Sequence, residues 1–318
     1  MKKIIAFVAL ALVLVMALSS CGNAKYAMGT GGTGGTYYAF GAVIGKQIEA
    51  STDFGCVAVS TDGSKANILG IKNGDYQLGT VQSDVMAYAW NGTNTFATDG
   101  KIDSFRVIGG LYAEAVQLVT TNPAVQSVAD LKGKSVSVGA SGSGVYFNAI
   151  DVLTAAGLTL NDITPTYQNF NDSAEALKNG TIDAAFVVAG APTTAIAELM
   201  VANKNARLVP IDGEVAANIM ANCPYYTPYV VPAGTYTTQT ADVTTITVKA
   251  TLIVSASLDE DTVYEMTKAI FENIDAIKSA HAKGAELSIE NATSGMTAPF
   301  HKGAARYFAE KGVTVNAQ

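Results

Sequence analysis

Alternation constrains this chain most: short strand-like stretches are followed by segments of helical period, and the pattern occurs twice. "YAMG" leads through glycines into "TYYAFGAVIGKQIEA", where Tyr37, Phe40, Ile44 and Ile48 recur at helical spacing. "GCVAVS" precedes "SKANILGIKNG", a helix stopped at Gly74; "YQLGTVQ" precedes "SDVMAYAWNG", a helix with Ser83 as its cap and Gly92 at its end. Two strands, "RVIGGLY" and "AVQLVTT", follow. After Val128 the alternation resumes with "VSVGA", the glycine-led helix "SGSGVYFNAIDVLTAAG", "ITPTYQ", "NDSAEALKNG", "DAAFVVAG", "TTAIAELMVANK" and "RLVPI". Strands separated by helices imply largely parallel sheets covered on both faces, an α/β class.

The remainder sets the domain organisation. A β-branched run, "DVTTITVKATLIVSASL", is followed by a helix over residues 259–280 and a last helix within "HKGAARYFAEKG". These helices need a sheet to cover. The expected division is a first lobe over 21–118, a second over 119–244, and a return crossing strand at 245–318 that completes the first lobe. Two crossing segments make a hinge, and a hinge leaves a ligand cleft.

The N-terminus limits where such a body works. Lys2 and Lys3, the apolar run Ile4–Leu18 and then "SSCG" have the order of an export signal over residues 1–20. "LSSC" resembles the bacterial lipoprotein processing site, which predicts lipidation at Cys21 and an extracytoplasmic body anchored to a bacterial membrane; a plain secretory signal is the alternative. Removing Met1–Ser20 leaves 18 basic against 27 acidic residues, a net charge of −9. That balance disfavours nucleic acid as a partner. Cys56 and Cys223 are compatible with either a disulfide or two buried thiols.

Gly29, Gly31 and Gly34 spell G-x-G-x-x-G, and Asp62 near the end of the second strand stands where a ribose ligand belongs in a dinucleotide fold. An exported chain meets little nicotinamide cofactor. The physics that survives is a glycine-lined strand end beside a helix N-terminus, which favours an anion. Gly32, Thr33, Gly35, Thr36 and Tyr37 are the candidates there. Ser141, Gly142 and Ser143 form the matching loop of the second unit, with helix capping as the competing role for either serine. At a third strand end Gln82 offers a donor and an acceptor, and Asp84 either binds a ligand ammonium or stabilises its own helix start. Catalytic motifs are absent, the two histidines His281 and His301 stand far from the glycine loops in sequence, and no cofactor or metal is expected. A lipid-anchored extracytoplasmic hydrolase using the same cleft remains the alternative function.

Taken in order, "GTGGTGGTYYAFGAVIG", "GSKANILGIKNGDYQLGTVQSD", "LYAEAVQLV", "VADLKGKSVSVGASGSGV", "LKNGTIDAAFVVAGAP", "VPAGTYTTQTADVTTITVKATL" and "HKGAARYFAEKG" resemble the TAXI family of solute receptors that serve TRAP transporters. The resemblance implies a type II periplasmic-binding-protein fold, a monomer, and delivery of glutamate, glutamine, 2-oxoglutarate or a related carboxylate to a TRAP permease driven by a cation gradient. It implies ligand contacts at the first glycine loop, Gln82, Ser83, Asp84, Ser141 to Ser143, Gly190 and Ala191. Two positions depart from the usual pattern, Ala191 within "GAP" and Ala113 where proline is common; the second leaves Glu114 available. DctP-type receptors clamp a carboxylate with arginine, but Arg106, Arg207 and Arg306 are poorly placed for this, so helix N-termini and hydroxyls are expected to do the work.

Overall fold

The computed structural model of the protein describes residues 25–318. The signal segment and Cys21 lie outside the described residues. In chain order the first elements are β1 (Lys25–Gly29), α1 (Thr36–Ser51), β2 (Gly55–Val59), α2 (Ser64–Asn73), β3 (Leu78–Gln82), α3 (Ser83–Asn91) and β4 (Phe105–Thr120). Next come β5 (Ser135–Ser137), α4 (Val145–Ala155), β6 (Thr164–Thr166), α5 (Phe170–Lys178), β7 (Ala184–Ala189), α6 (Thr194–Ala202), β8 (Arg207–Val209), α7 (Gly213–Asn222) and β9 (Thr227–Val231). The chain closes with β10 (Val243–Ser255), α8 (Glu260–Phe271), α9 (Ile274–Ala280), α10 (Ile289–Thr293) and α11 (Lys302–Glu310).

The strands run in the order β2-β1-β3-β10-β4-β7-β5-β6, with β8 also on β4 and β9 on β10. β1 is parallel to β2 and β3, and β5 to β6 and β7. β10 is antiparallel to β3 and β4, as β4 is to β7. Both long strands therefore traverse the molecule: β4 pairs with β10 through its first half and with β7 and β8 at its end. The β4–β10 register shifts between Lys249 and Thr251 and again between Leu252 and Ile253, so the ribbon bends where it passes from one lobe to the other.

Apolar packing divides at the same place. One core gathers Phe40, Ile44, Ile48, Val81, Phe105, Ile108, Leu252, Ile270 and Phe308, joining the first third of the chain to its last helices. The rest packs on the two faces of the sheet's second half: Phe186 and Val188 of β7 point to one face, Ala185 and Val187 to the other. These are two α/β lobes joined by two crossing strands.

Several expected elements differ. "RVIGGLY" and "AVQLVTT" form one strand, because Ala113 and Glu114 between them stay in register with Lys249 and Val248 of β10. The segment 259–280 is two helices broken at Glu272 and Asn273, where the Asn273 side chain donates to Ala269 O instead of continuing the ladder. Ser83 is not the cap of α3: Gln82 occupies that position, and Ser83 Oγ accepts the Lys249 amide of β10 at 3.2 Å. Cys56 and Cys223 are free thiols.

Candidate functional site

The cleft lies where the strand ends of both lobes meet. It is lined from the first lobe by Gly31, Gly32, Thr36, Tyr37, Asp62, Ser64, Gln82 and Glu114, and from the second by Ser143, Val145, Asn169, Phe170, Val188 and Ala189, among others. Its free space, including the part open to solvent, is about 520 Å³.

Local chemistry fixes the first loop. Asn67, fully buried on α2, donates through Nδ2 to Thr30 O at 2.6 Å and Thr80 O at 2.8 Å and accepts from Thr61 Oγ1 at 2.7 Å. One amide thus ties the ends of β1, β2 and β3 together. The loop then enters α1, whose first amides lack intrahelical acceptors and whose first residues, Thr36 and Tyr37, lie on the cleft lining. Gly34 does not serve a phosphate: a Cβ there would overlap Asn171 Oδ1 of the second lobe, and Gly34 O accepts the Ala195 amide at 3.1 Å. The second lobe occupies the approach that a pyrophosphate would need.

The predicted site residues divide accordingly. Gly32, Thr36, Tyr37, Gln82 and Ser143 line the cleft. Thr36 Oγ1 donates across the lobes to Gly190 O at 2.8 Å, so Gly190 and Ala191 abut the cleft floor behind Ala189 instead of lining it. Thr33 is exposed and accepts from Asn171 Nδ2 at 3.2 Å, while Gly35 bends back through its amide to Gly32 O and is covered by the Phe170 ring. Ser141 is exposed and Gly142 gives its carbonyl to the Ala66 amide, since α4 starts only at Val145 and the loop before it turns outward. Ser83 and Asp84 are turned away on α3.

Asp84 belongs to a buried network between the lobes. Gln82 Nε2 donates to Asn148 Oδ1 at 2.9 Å; Asn148 Nδ2 donates to Asp84 Oδ2 at 3.0 Å and to Tyr226 OH at 2.7 Å; Tyr226 OH donates to Asp151 Oδ2 at 2.8 Å. Burial pushes the Asp84 carboxyl up to about 7, with the Val85 amide opposing. Sequence reading missed Asn148, Asp151 and Tyr226, which stand on α4 and before β9 and join Gln82 through Asn148 only once the chain is folded.

Glu114 is the other residue that motif reading left unassigned. It sits in β4 at 1% exposure, lines the cleft, and burial pushes its carboxyl up to about 8, the nearby Tyr37 phenol opposing. Its signal in the sequence is a lone acid in an otherwise apolar strand, "LYAEAVQLV". The arginines are elsewhere: Arg207 donates to Asn122 O and Val125 O, Arg306 pairs with Glu260 and Asp261, and Arg106 bonds Asp103 O and Phe105 O. The cleft lining contains no Lys, Arg, His or Cys, and among the described residues no cluster of three His, Cys, Asp or Glu could hold a metal ion. Its serines therefore have no imidazole or amine beside them to act as a base.

Two α/β lobes, paired crossing strands and a cleft between them define the type II periplasmic-binding-protein fold. The chain is similar to a protein of Bordetella bronchiseptica RB50 at 15% identity, covering 90% of this chain and 89% of that one with a TM-score of 0.54. It is similar to an ancestral arginine-binding protein bound to arginine at 15% identity, covering 81% and 98%, with a TM-score of 0.51. At such identities the likeness is one of fold. Residues 28–312 match the NMT1-like family, and the chain belongs to it.

Proposed function

We propose that the protein is an extracytoplasmic solute receptor of the TAXI type. In this reading it captures a small carboxylate or amino acid, such as glutamate, glutamine or 2-oxoglutarate, and delivers it as a monomer to a TRAP-type permease. The lobes correspond to 21–118 with 245–318, and to 119–244. Cys21 carries the lipid that holds the body to the membrane; among the described residues no helix is long and apolar enough to cross one.

The observation that carries the reading is a cleft lined by both lobes, with the start of α1 on one side and the loop before α4 on the other, and no imidazole or amine on the lining. Helix starts supply amide donors for carboxylate oxygens, and water exclusion on closure strengthens them. The test is calorimetric titration of the purified protein with glutamate, glutamine, 2-oxoglutarate and C4 dicarboxylates, with product analysis of each mixture. Saturable binding without conversion is expected. Conversion of any of these compounds contradicts a receptor. For the anchor, Cys21→Ala is expected to release the protein from membranes or stall its processing, and a variant that stays membrane-bound and correctly cleaved contradicts lipidation.

A further inference from the structure

The cleft contains a buried acid whose nearest cation is already paired with another carboxylate. Glu114 is 1% exposed, its Oε2 has no hydrogen-bond partner in the protein, and it lines the space between the lobes. The groups facing it are the phenols of Tyr37 on α1 and Tyr112 on β4, the carboxyl of Asp84 on α3 and the ammonium of Lys283 in the segment after α9. Both phenols hold the Glu114 carboxyl below where burial alone would put it, though neither makes a well-formed hydrogen bond to it, and the Lys283 ammonium is held by Glu286 at 2.6 Å, whose second oxygen accepts the Ala113 amide at 2.7 Å. Gln82 Oε1 is a second unpartnered acceptor on the lining. No basic side chain stands among the lining residues to meet a ligand that carried only negative charge.

Within the receptor reading, we propose that Glu114 receives an ammonium group of the ligand and makes the cleft selective for α-amino acids over the matching keto acids. The ligand carboxylates then turn to the helix starts, where amide donors stand. An ammonium both pairs the charge and donates to the Glu114 carboxylate once it ionises, whereas a ketone oxygen brings neither charge nor donor. Burial holds the empty site's Glu114 carboxyl up at about 8, so at pH 7 much of it is protonated. Binding the ammonium requires the carboxylate; the carboxyl proton passes to solvent as the ion pair forms.

The test compares L-glutamate, L-glutamine and 2-oxoglutarate by calorimetry in buffers of different ionisation enthalpy. An amino acid is expected to bind at least roughly tenfold more tightly than 2-oxoglutarate. It is expected to release protons at pH 7 and to lose affinity on acidification, approaching about tenfold per pH unit well below the Glu114 value. Glu114→Gln is expected to weaken the amino acid at least roughly tenfold without weakening 2-oxoglutarate. If that variant does not fold, proton release by the unaltered protein decides. Two-oxoglutarate binding as tightly as either amino acid, or proton uptake on binding, overturns the assignment of Glu114 and leaves the receptor standing. Failure of all three compounds to bind overturns both.

Discussion

At the scale of single residues, hydroxyls and carboxyls that sequence places together serve different ends. Ser143 lines the cleft, yet its Oγ donates to Ala140 O at 2.6 Å and accepts the Tyr146 amide at 3.4 Å, so both of its capacities hold the turn into α4. Ser143→Ala is therefore expected to cost about 1 kcal/mol of stability in thermal unfolding, with ligand affinity nearly unchanged. Asp84 and Glu114 predict a pH dependence. Their carboxyls stand at about 7 and about 8 in the fold, against 3.8 and 4.5 without it. Between those limits the folded chain keeps protons that the unfolded chain has lost, so their stabilising contribution is present in acid and is lost as pH rises through 7 and 8. Ligand-free protein should show this fall in melting temperature between pH 5 and 8, and Asp84→Asn should make it shallower; an unchanged slope in that variant would show that Asp84 does not contribute. The residue types at the cleft were legible as strand-end polar groups, but the partners were not. Gln82 and Asn148 are 66 positions apart and meet through closure alone.

At the scale of elements, the turns that matter are those pressed against the other lobe. A Cβ at Gly34 would overlap Asn171 Oδ1, and one at Gly144 would overlap Gln82 Oε1, so the starts of α1 and α4 approach the opposite lobe with no room for a side chain. Gly144→Ala should penalise the seating of the two lobes by about 1–3 kcal/mol and weaken ligand binding correspondingly, because Gln82 is buried, whereas the exposed Asn171 can turn away from a methyl at Gly34. Equal affinity in the variant would show that this contact is not made with ligand bound. Most elements could be read in advance because their signals are local: Phe40, Ile44 and Ile48 repeat at helical spacing and are all buried, and Gly74 ends α2 in the left-handed region at a φ of 85°. By contrast, α7 buries only Ala216 and Ile219 among its ten residues, and β9 contains Pro228 and shows a single buried position. Neither has a strong period of its own. Both are held by tertiary contacts, β9 by its antiparallel ladder with β10.

At the scale of the whole molecule, the lobes meet through few connections and many reversible contacts. β4 and β10 are the long strands shared by both cores, whereas Thr36 with Gly190, Gly34 with Ala195, Ala66 with Gly142 and the Asn148 network cross the cleft by hydrogen bonds, beside the ring contacts of Phe170 with Gly35 and Tyr225 with Tyr88. Such contacts can open without disturbing either core, and a ligand shifts the balance only by binding the closed form better. The fold class was visible in the doubled alternation of strand and helix. The closing surfaces were not, since they depend on how one lobe seats on the other. Small-angle X-ray scattering of the purified protein, with and without a saturating concentration of the tightest-binding carboxylate, tests closure around a small ligand directly. The radius of gyration should fall at saturation; identical scattering from the empty and fully occupied protein would contradict a receptor that works by closing its lobes.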